Sequence, residues 1–146
     1  MRKILMLFAC LTLFMACSDD GFSNNNPYLP NYNFSVDIDF SLPLYNDLNF
    51  VGNAVPITIE GIGINGIVVM KTGSGFVAYE LSCPNQELTN CSVLTIDGIN
   101  VVCPCDGVEY SLYTGLPAAN TEADLKYSLK PYRIQIISDT YIRVSN

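Results

Sequence analysis

The chain has no histidine among its 146 residues, and only seven basic side chains against fourteen acidic ones. The first absence removes the imidazole, so no ring nitrogen is present to ligate a metal or to stabilise a cysteine thiolate. The second removes any basic surface. Phosphate backbones are repelled, and nucleic acid is excluded as a partner. An internal repeat and an amphipathic helix are also missing. The apolar run from Ile4 to Ala16 is too short to span a bilayer as a helix. What the chain does have is six cysteines, four of them crowded between Cys83 and Cys105.

Arg2 and Lys3 ahead of the apolar run give it the charge order of a secretory signal, so residues 1–16 are a targeting segment outside the fold. The run ends Phe14-Met15-Ala16-Cys17, which resembles the lipobox of bacterial lipoproteins. That resemblance implies that Cys17 is lipidated, becomes the N-terminus and attaches the protein to a membrane. Leu7-Phe8-Ala9-Cys10 is a poorer site, because it leaves too short an apolar stretch. Ser18-Asp19-Asp20 resembles the surface-export signals of Bacteroidetes lipoproteins, which implies the bacterial outer membrane, on its periplasmic or its external face. Loss of Arg2 and Lys3 with the signal leaves five basic against fourteen acidic residues, a mature charge near −9.

From Ser18 to Pro30 the chain is polar, with the run Asn24-Asn25-Asn26 and two prolines, so residues 17–30 read as a flexible tether. Residues 31–146 then have the length of one domain with a single core. The hydrophobic period within it is two. Phe34, Val36, Ile38 and Phe40 alternate with Ser35, Asp37 and Asp39, as in a strand with one wet face. Further strands are predicted at 55–59, 67–71, 76–80, 93–96, 99–102, 109–112, 132–137 and 141–144. Asp97-Gly98 between two such runs is a two-residue hairpin signature in which both positions take positive φ; Gly73-Ser74-Gly75 and Ser138-Asp139 fill similar roles. Only Thr121–Leu125 has the pattern of a helical turn. The expected architecture is a small all-β, antiparallel sandwich or barrel.

Cysteines in an exported chain pair by default, because the compartment is oxidising. Cys83, Cys91, Cys103 and Cys105 allow three pairings. Cys103 and Cys105 flank a single proline, so a bond between them is sterically poor and each is expected to bond back to the first pair. Two crosslinks would then tie two loops together. The rival reading is a thiolate metal site, since four cysteines so spaced can present sulfur to zinc or to an iron–sulfur cluster.

The arrangement resembles the Rieske domain, whose [2Fe–2S] cluster sits between two loops carrying Cys-x-His and Cys-x-x-His. Cys83-Pro84-Asn85 stands at the first box, and Cys103-Pro104-Cys105-Asp106-Gly107 matches the second, with Asp106 at the histidine position. Around the boxes, Gly66–Lys71 and Gly75–Glu80 resemble the hairpin leading into the first, Gly107–Leu112 the strand after the second, and Leu116-Pro117-Ala118 the proline loop. The resemblance runs from about Ala54 to Val144. It implies that Cys83 and Cys103 are the ligand cysteines, and that Cys91 and Cys105 form the disulfide that braces the loops in Rieske proteins of cytochrome complexes.

With no histidine, both nitrogen ligands of the second iron are lost. An anionic Asp106 on iron would lower the potential below the roughly −150 to +300 mV of His₂ ligation. We read Asp106-Gly107 as turn chemistry and Asn85 as a loop residue bonded to nearby backbone. Two thiolates on one metal lie roughly 3.8 Å apart and a disulfide needs about 2.05 Å, so a small loop shift closes Cys83–Cys103 as a second disulfide. The expectation is therefore a noncatalytic Rieske-like module with no cofactor and no metal, serving an envelope protein partner, its tyrosines supplying contact area. The alternative is an electron-transfer protein retaining [2Fe–2S] through Cys83, Cys103, Asp106 and a fourth ligand. Thiol exchange at Cys103-Pro104-Cys105 is a third reading. Oxygenase activity is excluded, because the chain has no room for a mononuclear-iron domain.

Overall fold

The computed structural model describes residues 25–119, 121 and 125–146. Among these the chain forms β1 (Ser35–Asp39), a 3₁₀ helix (Pro43–Asn49), β2 (Ala54–Ile57), β3 (Ile67–Thr72), β4 (Gly75–Glu80), β5 (Thr95–Asp97), β6 (Asn100–Val102), β7 (Glu109–Ser111), β8 (Arg133–Ser138) and β9 (Tyr141–Ser145). All pairings are antiparallel and give three three-stranded sheets, ordered β1-β9-β8, β2-β3-β4 and β5-β6-β7. The all-β expectation holds.

The central sheet separates two cores. Because strand side chains alternate faces, β3 sends Val68 and Met70 into one core and Ile67 and Val69 into the other, all four fully buried. The first core also takes Leu94, Val101, Tyr110, Leu112 and the sulfurs of Cys83 and Cys103. The second is closed by the chain's ends, with Ile38 of β1 and Ile142 and Val144 of β9 packed beside Leu48 and Tyr132. Pro56 is tolerated in β2 because β2 is an edge strand, where one side of the backbone needs no ladder donor.

Three local readings change. The β5–β6 loop is Gly98-Ile99, closed by the Asp97–Asn100 pair, and not Asp97-Gly98; Gly98 has φ 60° while no described non-glycine residue has positive φ. A two-residue loop with glycine first fits the type II′ turn, which asks positive φ of that residue alone. A helical turn not expected from the sequence lies at Pro43–Asn49, where a proline in the first turn supplies a preset φ; of Thr121–Leu125, residues 122–124 lie outside the described residues, and Thr121 and Leu125 are irregular. The third change concerns the segment read as tether. Its last residues pack on the domain: Leu29 is buried, Asn26 Nδ2 donates to Pro84 O at 2.6 Å, and Lys130 Nζ donates to Pro30 O at 2.8 Å. The packed part of the chain thus begins by Asn26. The expected signal segment and Cys17 lie outside the described residues.

Candidate functional site

Both cysteine loops leave the first core, with Cys83 and Cys103 buried in it. Cys83 follows β4 and Cys103 follows β6, so two strands with buried apolar faces deliver both sulfurs into the interior, where each residue is 0% exposed. They form one disulfide, with Cα atoms 5.6 Å apart. Cys91, exposed, and Cys105, half-buried, form the other, at 5.1 Å. These are the pairs implied by the Rieske resemblance. The Sγ atoms of Cys83, Cys103 and Cys105 all lie within 4.8 Å of one another, so the two bonds are close neighbours.

Each loop has its own scaffold. In the first, Cys83 N donates to Ser92 O at 2.8 Å, and Ser92 Oγ accepts from Thr89 N at 2.9 Å while donating to Thr89 O at 2.8 Å. In the second, Cys103 N donates to Val108 O and Gly107 N to Cys103 O, both at 2.8 Å. Gly107 sits at φ 72°, a left-handed conformation that glycine enters without strain.

Asn85 and Asp106, the two positions where the resemblance places histidines, have separate fates. Asn85 is a clasp. Its Nδ2 donates to Tyr127 O at 2.7 Å and to Tyr110 Oη at 3.1 Å, and its Oδ1 accepts from Lys126 N and Tyr127 N, both at 3.0 Å. The expectation of bonds to nearby backbone is corrected here, since the partners lie 25 to 42 residues away in sequence. Burial pushes the Tyr110 phenol up to about 12; the bond from Asn85 opposes that rise and the charge of Asp106 adds to it. Asp106 is an exposed turn residue, as expected: Oδ1 accepts from Val108 N at 3.0 Å, and Oδ2 accepts from Gln86 Nε2 at 2.6 Å, a bridge to the first loop.

Three contributors escaped the sequence reading. Thr89 Oγ1 lies 3.2 Å from Cys91 Sγ and 3.7 Å from Cys105 Sγ; disulfide sulfur has no proton, so the hydroxyl is the donor. Gln86 crosses between the loops. Glu80 is a wholly buried carboxylate that accepts from Ile64 N (2.8 Å), Asn65 N (3.1 Å), Ser82 Oγ (2.9 Å) and Tyr132 Oη (2.7 Å), and so ties the loop around Ile64 and Asn65 to the end of β4. Burial, reinforced by this carboxylate, raises the Tyr132 phenol pKa well above its ordinary value. A signal for Glu80 was available: it is in phase with the buried Ala78 and is followed by apolar Leu81. Thr89 and Gln86 carry none, being polar residues in a polar loop.

A [2Fe–2S] centre of the kind the resemblance implies requires two thiolates on one iron and two imidazoles on the other. Here the two inner sulfurs are bonded to each other, both ends of the Asn85 amide are committed to protein groups, and both Asp106 oxygens are engaged. The donor set does not fit that group.

No family model matches the chain, and no curated protein matches it in sequence. Its fold matches solved structures. A chain of the complex of reduced oxygenase and oxidized ferredoxin in carbazole 1,9a-dioxygenase superposes with a TM-score of 0.50 and 20% identity, over 76% of this chain and 92% of that one. The quaternary ammonium Rieske monooxygenase CntA with a bound inhibitor gives 0.50 and 16%, over 78% of this chain and 31% of that one; its apo form gives 0.50 and 15%, over 81% and 34%. At these identities the likeness establishes the fold alone, and the fold is Rieske-like.

Proposed function

We propose that the protein is a noncatalytic, lipid-anchored Rieske-like module of the bacterial envelope, in which two disulfides hold the loops that elsewhere hold a cluster. The buried Cys83–Cys103 bond carries this reading, because it occupies the two sulfurs a cluster would need first. Each native bridge in a small exported domain contributes about 2–5 kcal/mol, so the pair supplies the bracing a cluster would give. Attachment through Cys17 would place the packed chain close to the membrane. Asn26 docks on Pro84 of the first cysteine loop, and nine residues of fully extended chain reach about 30 Å. The paired cysteine loops would then stand near the bilayer, available to an envelope protein partner.

The test is an absorption spectrum of anaerobically purified protein with iron and sulfide assays. A colourless protein whose four cysteines resist alkylation without reductant is expected. Visible bands with stoichiometric iron and sulfide would overturn the proposal in favour of an electron carrier with unusual ligands. Cys17→Ala is expected to release the protein from membranes; unchanged membrane fractionation would refute the anchor.

A further inference from the structure

The proximity of one disulfide with an exposed cysteine to a buried disulfide has chemistry of its own. The Cys83–Cys103 bond has no exposed atom through which an external thiol would attack it, whereas Cys91 is open to solvent. Between them stands Cys105, bonded to Cys91 yet within 4.8 Å of both buried sulfurs. We infer that the four cysteines form a thiol–disulfide exchange relay, in which an external dithiol opens the outer bond and Cys105 carries the exchange to the inner one.

In the first step a dithiol's thiolate attacks Cys91 Sγ. A mixed disulfide forms on Cys91, the Cys91–Cys105 bond breaks, and Cys105 leaves as the thiolate with the electron pair. The Thr89 hydroxyl, already donating at the two outer sulfurs, is placed to hydrogen-bond that thiolate. The Gln86 amide on Asp106 Oδ2 offsets the neighbouring negative charge. In the second step Cys105 attacks Cys83 Sγ. A Cys83–Cys105 bond forms, the Cys83–Cys103 bond breaks, and Cys103 takes the pair and then a proton from water. Attack on Cys103 would instead make a bond across the single residue Pro104, which is sterically poor. The second thiol of the dithiol then displaces Cys91 from the mixed disulfide and closes its own ring. The dithiol has lost two electrons; the protein has gone from two disulfides to one, with thiols on Cys91 and Cys103.

The inference rests on the cradle being closed by disulfides, and the experiment separates the two claims. Oxidised protein is pulsed with dithiothreitol under native conditions, quenched with N-ethylmaleimide and peptide-mapped. A Cys83–Cys105 peptide pair, with label on Cys91 and Cys103, is the expected result; its absence while the inner bond opens would overturn the relay. In the double variant Cys91→Ser with Cys105→Ser, the relay predicts that the inner bond is reduced more slowly, by on the order of tenfold, because only opening of the domain then exposes it. A bond reached merely by unfolding predicts the opposite, since losing a staple makes opening easier. Equal or faster reduction in that variant would refute the relay. Should the variant not fold, the trapped pair in the unaltered protein decides alone. Labelling of Cys83 and Cys103 before any dithiol is added would defeat both the relay and the closed cradle.

Discussion

The two cysteine loops sit side by side on one core, yet they are held in different ways. The first, running from Cys83 to Ser92, is fastened from outside: Asn85 clasps the 126–127 backbone and Tyr110, and Pro84 O takes Asn26 from the N-terminal segment. The second, from Cys103 to Val108, is fastened mainly from within by a tight turn, with the Gln86 bond to Asp106 tying it to the first loop. Asn85 and Asp106, where the resemblance places ligands, thus serve their loops in two different ways. The half-buried Asn85 is a polar clasp onto groups distant in sequence, whereas the exposed Asp106 serves the turn it sits in.

Reducing both disulfides removes what the loops share, and it is expected to have the largest effect. Urea unfolding with and without a phosphine reductant should differ by roughly 4–10 kcal/mol if the two bridges act independently. A difference under about 2 kcal/mol would mean the loops stand without each other. Next comes the clasp. Asn85→Ala removes the bonds to Tyr127 O and to two backbone N–H groups at half-buried and exposed positions, and should cost about 0.5–1.5 kcal/mol in chemical denaturation. A neutral result would break the distinction between the loops.

Alkaline pH probes the same clasp from the Tyr110 side. The folded phenol is raised to about 12 from an ordinary value of 10.0, so between those values the unfolded chain holds fewer protons than the folded one. Stability is therefore full below pH 10 and declines as pH rises toward 12, by on the order of 2 kcal/mol from this group. Tyr110→Phe should flatten that part of the profile, and an unchanged slope would show that the phenol is not held neutral by its site. The smallest change is expected for Asp106→Ala. It removes an exposed turn bond and the bridge from Gln86, and should shift stability by no more than about 0.5 kcal/mol. A loss as large as that of Asn85→Ala would make the second loop as dependent on its neighbours as the first.

Alternating and continuous apolar runs made all nine strands legible to within two residues at each end, and the cysteine boxes pointed to the two paired loops. Pairing at a distance was not legible. β1 joins β9 across the length of the chain, Ser35 opposite Ser145, and nothing local to either strand encodes that choice. The 3₁₀ helix was missed because Pro43 and the polar residues after it also suit a loop, and what fixes the turn is the burial of Leu48. Asn85 looked like an ordinary loop amide for a similar reason. Its partners come from residues 110, 126 and 127, brought near only when the chain runs back along β7 to meet β4.

β3 works as a party wall. Four successive residues, Ile67 to Met70, are each wholly enclosed, and neighbours along the strand belong to opposite rooms. Melting either room would strip one side of this shared partition and leave its apolar side chains in water, which ties the two cores to one another among the described residues. Amide hydrogens of Ile67–Met70 should accordingly exchange only through complete unfolding, with one common free energy for residues that face the sulfurs and residues that face the joined chain ends.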